Sequence, residues 1–416
     1  MPDSSGATVF DDLPEWLVVD EILFRLPPKD VLRCRAVRRS WRSGTSTDKF
    51  IHDHHRRQPS LPIIEHHKGI CHLPYLSGAA AGVSTDKKIR LFIRYTPATI
   101  VDVIHHGACD GLLILSEQAD FYICNPTTHR CASLPHPPLR PGFSTVTVVA
   151  FYRHHTSGEH RVLWVVMSHA RVEYESPDYF VLTVGSDQPR LIQWLIASPA
   201  ADSSTCPPVH HRGSLHWPMG LSITVFDTVA ETFRQMSRPA QLGDNDMVAL
   251  LDIGGALALS STTLECVTLD VWVLQDYDAE TWGFQFRINL RAVVAAPPID
   301  LRLKYVPRMV AINERELLIQ VGWRLLHCGI DGTFLGNVEI EEHENYLTLT
   351  KHRLQESMIS LPLFETQHEE EAVNNVPPFL IVLTHFGLIA SGTRSLLSLC
   401  GDVFAQAGIS GKLAVM

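Results

Sequence analysis

Short apolar runs in this chain end in one recurring kind of turn, and the turns fall on a regular spacing. They are Asn125-Pro126-Thr127-Thr128, Asp227-Thr228-Val229-Ala230-Glu231-Thr232, Asp276-Tyr277-Asp278-Ala279-Glu280-Thr281-Trp282 and Asp331-Gly332-Thr333. From Asp227 to Asp278 is 51 residues, from Asp278 to Asp331 is 53, and from Asn125 to Asp227 is 102, two such units. An Asn or Asp side chain accepts from its own backbone two residues on, which stabilises a tight turn. Upstream of the turns lie Gly-led strands: Gly111-Leu112-Leu113, Gly213-Ser214-Leu215-His216-Trp217 and Gly255-Ala256-Leu257-Ala258-Leu259. A unit of strands and turn repeated about every 50 residues is the pattern of a propeller blade. Such a unit cannot bury its faces alone, so it demands neighbours.

The rest of the chain from about residue 60 has the same texture. Leu112–Leu115, Phe121–Cys124, Val146–Phe151, Val162–Met167, Ile223–Phe226, Val271–Leu274 and Leu317–Val321 are β-branched or aromatic runs of strand length. Trp217, Trp272 and Trp323 fall in or beside such runs and read as blade core.

The beginning is different. Asp12, Pro14 and Glu15 make a helix-start pattern. Val19, Ile22, Leu23 and Leu26 form one stripe at three-to-four spacing, stopped by Pro27-Pro28. A second helical pattern places Val31, Cys34, Val37 and Trp41 on one side, with Arg35, Arg38, Arg39 and Arg42 largely elsewhere. Leu13, Leu17, Val18, Leu32 and Trp41 add more apolar surface than so small a unit can hide. Each Leu or Ile left in water forgoes roughly 1.5–3 kcal/mol. The surplus must pack on the rest of the chain or on another protein.

Two resemblances arise from these residues. Leu13-Pro14, Leu17-Val18-Val19, Glu21-Ile22-Leu23, Arg25-Leu26-Pro27, Lys29-Asp30, Val31-Leu32-Arg33, Val37 and Ser40-Trp41-Arg42 resemble an F-box over about forty residues. Asp20-Glu21 adds one residue where the pattern has a single acidic position; one extra residue turns a helix face by about 100°. Cys109-Asp110-Gly111-Leu112-Leu113, Asn125-Pro126-Thr127-Thr128, Leu134-Pro135, Gly213–Trp217, Phe226-Asp227-Thr228, Phe233-Arg234 and Asp270–Leu274 resemble the F-box-associated domain of a large plant family. That likeness runs from roughly 100 to 362 and closes near Glu356–Leu361. The first resemblance implies a three-helix module docked on a Skp-family adaptor and, through it, a cullin. The residues it assigns to the adaptor are Leu13, Pro14, Leu17, Ile22, Leu23, Leu26, Pro27, Leu32, Val37 and Trp41. The second implies a kelch-like propeller that presents a target protein.

Composition narrows the remaining classes. A formal net charge of −10 argues against nonspecific nucleic-acid binding, so Arg33, Arg35, Arg38, Arg39 and Arg42 read as a solvated helix face. Nine cysteines without a CxxC suit free, mostly buried thiols in a reducing compartment. No run approaches a membrane span, and MPDSSGATVFDD is polar and acidic, unlike a signal peptide. Twenty-two histidines include the pairs His54-His55, His66-His67, His105-His106, His154-His155 and His210-His211. Adjacent residues of a strand point to opposite faces, so such pairs do not chelate one ion, and zinc spacings are lacking. Gly254-Gly255 has no phosphate-loop context, and no G-x-S-x-G elbow occurs. No catalytic, cofactor-binding or metal residue is expected.

The expected fold is a small all-α three-helix F-box followed by an all-β propeller-like domain. Its boundaries read as a disordered leader (1–10), the F-box (11–50), a connecting segment with first strands (51–99), the propeller-like domain (100–365), an acidic linker (366–376) and an apolar segment, a candidate closing strand (377–416). The expected function is a non-catalytic substrate receptor of a ubiquitin ligase, nuclear and/or cytoplasmic, without membrane or nucleic-acid partners. The alternatives are a non-degradative F-box scaffold and a carbohydrate-binding propeller.

Overall fold

The computed structural model describes residues 13–68, 71–78, 88–91, 103–117, 119–139, 144–168, 177–192, 208–263, 268–290, 307–322, 324–338 and 346–364. The expected leader, acidic linker and apolar closing segment lie outside these residues, as do Asp12 and Trp323. No described helix is long and apolar enough to cross a membrane.

A helical stretch over Leu17–Ile22 and Leu23–Arg25 opens the fold, followed by α1 (Pro28–Cys34), α2 (Arg39–Thr45) and α3 (Asp48–Arg57). Leu17–Ile22 is a turn of the wide π type. Such a turn takes up one inserted residue without rotating the residues beyond it. The extra residue at Asp20-Glu21 is absorbed there, and Val18, Val19, Ile22 and Leu23 are all buried. Leu26 is extended, and Pro28 opens α1, where its missing N–H costs nothing. The second helical pattern is two helices rather than one. Its break falls between α1 and α2 and leaves Val37 41% exposed, off the face that carries Val31, Cys34 and Trp41.

Among the described residues, six four-stranded antiparallel sheets follow. Blade 6 contains β1 (Ser60–Lys68), β2 (Cys71–Gly78) and β3 (Lys88–Leu91), blade 1 is β4 (Val103–Cys109), β5 (Leu112–Glu117), β6 (Asp120–Asn125) and β7 (Arg130–Leu134), and blade 2 is β8 (Ser144–Arg153), β9 (His160–Ser168), β10 (Asp178–Thr183) and β11 (Arg190–Ile192). Blade 3 is β12 (Val209–His211), β13 (Ser214–Met219), β14 (Ser222–Asp227) and β15 (Thr232–Ser237), and blade 4 is β16 (Met247–Ile253), β17 (Ala256–Thr262), β18 (Thr268–Asp276) and β19 (Thr281–Asn289). Blade 5 is β20 (Arg308–Ala311), β21 (Glu316–Val321), β22 (Arg324–Gly329) and β23 (Phe334–Asn337), and β24 (Tyr346–Gln355) completes blade 6. β24 pairs with β1 from Ser60↔Gln355 to His67↔Tyr346, so two distant parts of the chain share one sheet.

The apolar runs are continuous because both faces of each blade are covered. Leu112 and Ile114 of β5 enter the core shared with blade 2, while Leu113 and Leu115 enter the core shared with blade 6. Leu317 and Ile319 face blade 4, and Leu318 faces blade 6. Blades 2 and 3 meet over Leu163, Val181 and Phe226, and blades 3 and 4 over Val225, Leu259 and Trp272. Alternation along a strand thus sends neighbours to different seams.

The recurring turns are Asx turns. Asn125 Oδ1 accepts from the N–H groups of Thr127 and Thr128, Asp227 Oδ1 from Val229 and Ala230, and Asp331 Oδ1 from Thr333. In blade 4 the turn is held by Asp276 rather than Asp278: Asp276 Oδ1 accepts from Asp278 and Ala279. Four residues after three of these caps stand His129, Glu231 and Glu280, each left-handed at φ 56°, 53° and 51°. The two glutamates latch the preceding blade. Glu231 accepts from Arg161 at 3.0 Å and from Arg190; Glu280 accepts from Arg234 at 2.9 Å and from the Ser237 N–H. The Glu231 and Arg161 side chains are 13% and 15% exposed. Glu231→Gln is expected to cost about 1–3 kcal/mol, because it removes the carboxylate shared by Arg161 and Arg190 and leaves the part-buried Arg161 with Glu159 alone. Asp270→Asn, whose partner Arg287 is 59% exposed, should cost under about 0.5 kcal/mol. Denaturant midpoints of the two variants test the contrast.

Cys124 and Cys131 face each other across β6 and β7 and are bonded, which corrects the expectation of free thiols. The pairing comes from strand register, not from a short sequence motif. Cys34 and Cys328 are buried and Cys109 is half-buried, all three outside this disulfide.

Several histidines are buried neutral. The rings of His105 on β4 and His352 on β24 meet edge-on at 4.6 Å. Burial and the neighbouring His106 push His352 down to about 3; burial, then His352 and His106, hold His105 well below its usual value. Burial also lowers His216 to about 4. The unfolded chain takes up these protons near pH 6.5 and the fold does not, so their contribution is complete above 6.5 and lost as pH falls toward 4. The expected loss is about 1.4 kcal/mol per pH unit for each such group in that window. Urea titrations between pH 7 and 5 measure it, and His352→Phe should flatten the slope.

Candidate functional site

The helical unit gathers its apolar side chains into one core. Val18, Val19, Leu23, Leu26, Val31, Cys34, Trp41 and Phe50 pack together, with Phe24 edge-on to Phe50 at 5.4 Å and His54 stacked on Phe50. Thr47 caps α3 by accepting from the Phe50 N–H, and His54 Nε2 lies 2.8 Å from the Leu26 carbonyl oxygen. Arg35 donates to the carbonyl and hydroxyl of Thr45 at the end of α2, and Arg33 pairs with Asp30.

This closure sorts the ten residues assigned from the sequence. Ile22, Leu23, Leu26 and Trp41 are core, from 2% to 7% exposed. Pro14, Pro27 and Val37 are exposed, and Leu13, Leu17 and Leu32 are half-buried. Trp16, which the sequence pattern does not single out, is 62% exposed. It stands three residues before Val19, in phase with the buried stripe, and the wide turn takes it off that stripe. Glu15 brings the surface together: its carboxylate accepts from Ser40 at 3.0 Å and lies 3.7 Å from Arg38. These contacts tie the turn at Glu15 to the start of α2. Pro14, Trp16 and Val37 remain exposed after the core is closed.

A second cluster joins the helical unit to the ring. In each antiparallel blade the first and third turns lie at the same end, and in blade 1 that end faces α3. Asp110, left-handed at φ 51°, accepts from His160 at 3.0 Å through Oδ2, while its Oδ1 lies 3.7 Å from His55 Nε2. Burial pushes the Asp110 carboxyl up, but hydrogen bonds from His160 and His55 outweigh it and hold the group far below the usual carboxylate range. Ser357 donates to the Asp110 carbonyl at 2.6 Å, and Asn125 Nδ2 donates to the Ser357 and Ile359 carbonyls at 3.2 and 2.8 Å. These contacts give the Asp110 and Asn125 motifs a structural role. Cys109 Sγ, an Asp110 oxygen and a His160 nitrogen lie within 4.8 Å of one another, a grouping of metal-ligand types. Burial and the adjacent Asp110 charge keep the Cys109 thiol protonated, and Arg153 stands 3.8 Å from the same carboxylate. The arrangement fits a hydrogen-bonded clamp better than a cation site.

In the ring a cavity of about 160 Å³ lies among β12, β16, β20 and β24. Its lining holds one carboxylate, Asp252, and no carboxylate pair. Arg353 at its wall donates to Ser60 Oγ and to the carbonyls of Ser60, Ala311 and Ile312, tying blade 6 to blade 5.

Residues 87–292 match the family described as F-box associated beta propeller domain. An F-box/LRR-repeat protein of Arabidopsis thaliana is 25% identical over 306 residues, covering 67% of this chain and 68% of that protein. An F-box protein of the same plant is 25% identical over 323 residues, covering 72% and 84%. A further Arabidopsis thaliana F-box protein is 25% identical over 312 residues, covering 67% and 73%.

Proposed function

We propose that this chain, an F-box protein whose second module is an F-box-associated β-propeller, is the target-recognition subunit of a Skp–cullin–F-box ubiquitin ligase. One observation carries the reading: with its core closed, the helical module still exposes Pro14, Trp16 and Val37, and Glu15 ties the turn that bears Pro14 and Trp16 to the start of α2. Exposed aromatic and aliphatic groups grouped beside polar partners are the usual anchors of a protein interface. A Skp-family adaptor is the proposed cover for these residues, with a cullin beyond it. The propeller would hold a nuclear or cytoplasmic target by its loops, since loops on a rigid scaffold carry recognition.

The mechanism is proximity. A target lysine held near a ubiquitin-charged enzyme attacks in an effectively intramolecular reaction, which raises its rate without any reacting group from this chain. The architecture is accordingly that of a non-catalytic scaffold.

Affinity capture from plant cells tests the reading. Full-length chain carrying Trp16→Asp should lose adaptor and cullin together and keep the target. Capture of both at wild-type levels would overturn it. Adaptor bound without any cullin-dependent change in target abundance would favour a sequestering scaffold.

A further inference from the structure

We infer that the helical module can dock only when residues 355–358, some three hundred positions downstream, are laced into it, so that adaptor recruitment depends on a closed ring. This inference rests on the docking proposed above and adds a condition to it.

The lacing is specific at each step. Gln355, the last residue of β24, donates through Nε2 to the carbonyls of His55 at 2.9 Å and Gln58 at 2.8 Å. Those are carbonyls at the end of α3, where a helix runs out of internal donors. The His55 ring donates back to the Glu356 carbonyl at 3.2 Å. Met358 then enters the helical core and is 3% exposed among Val18, Trp41 and Phe50. Beyond Ser360 the chain has already crossed into the ring, where Leu361 and Phe364 join the core between blades 1 and 2.

The same strand closes the propeller. Gln355 pairs with Ser60 at the entry to β1, and Ser357 is gripped by Asp110 and Asn125 of blade 1. Blade 6 and the helical module are therefore finished by one continuous segment. A unit of about 45 residues is marginal without every apolar side chain of its core. A chain that has not yet been made as far as Met358, or whose β24 has not paired with β1, lacks both a closed ring and a capped α3. Such a chain would not occupy an adaptor with an incomplete target-binding surface.

The test uses full-length Met358→Asp, with two readouts. Hydrogen exchange of the α1 to α3 amides should accelerate at least tenfold while β16 to β18 stay protected, and affinity for a purified Skp-family adaptor should fall at least tenfold. Unchanged exchange and unchanged affinity would overturn the inference. If wild-type chain fails to bind adaptor, the docking proposal falls, and the exchange result still decides the coupling. Should Met358→Asp fail to fold, Gln355→Ala removes only the cap donor; faster exchange at the α3 end supports the coupling, and wild-type exchange there sinks it.

Discussion

Trp41→Ala is expected to unfold the helical module at physiological temperature while the ring stays folded. Trp41 is 4% exposed in the middle of the helical core, and Arg38 lies over its ring at 5.5 Å. Truncating a buried Trp costs about 3–5 kcal/mol in lost transfer energy and cavity. That is comparable to the whole stability of a unit this small. The far-ultraviolet helical signal should fall and α1 and α2 amides should lose protection, with blade 3 and blade 4 amides unaffected. Val37→Ala is the matched control. At 41% exposure it should change stability by less than about 0.5 kcal/mol, and any effect it has should appear in adaptor affinity. Equal stability losses in the two variants would contradict the placement of the core.

Gly111→Ala should break the joint between blade 1 and the lacing segment. A Cβ at this position would stand 2.3 Å from Ser357 Oγ and 2.8 Å from the Gln355 carbonyl oxygen. Gly111 is also left-handed at φ 79°, which alone costs an L-residue about 1–2 kcal/mol. Backbone must shift to admit the methyl group, so the expected total is about 3–5 kcal/mol. Gly213 opens the corresponding strand of blade 3 at φ 74°, with nothing within 4 Å of its Cβ position. Gly213→Ala should therefore show the backbone cost alone, about 1–2 kcal/mol. Thermal unfolding of the pair separates close approach from backbone strain. Similar shifts would mean that the segment after β24 does not press on Asp110-Gly111.

These contrasts mark where the sequence is legible. The strands can be read because each blade buries both faces, which turns alternating patterns into unbroken apolar runs. The repeat can be read because each Asx turn needs its own oxygen acceptor. Within that repeat, Asp276 and Asp278 look alike in sequence, and only the hydrogen bonds identify Asp276 as the cap. The helical landmarks are equally visible, but Val37 and Trp41 look equivalent until a break between α1 and α2 separates them. The insertion at Asp20-Glu21 is visible; its absorption in a wide turn is decided by packing on both sides of it. Asp110, Gly111 and Asn125 stand out as motif residues, yet their partners Gln355, Ser357 and Ile359 are more than two hundred residues away. No local pattern signals such a meeting. Trp16 was hidden for the opposite reason, since its spacing to Val19 matches the buried stripe.

The most direct test of the account is a calorimetric titration of a purified Skp-family adaptor into full-length chain, wild type against Trp16→Asp. The account predicts saturable one-to-one binding by the wild type and a loss of about 2 kcal/mol or more, roughly thirtyfold, in the variant. Circular dichroism of the two should be the same. Wild-type chain that is folded and does not bind, or a variant that binds as tightly as wild type, would contradict it.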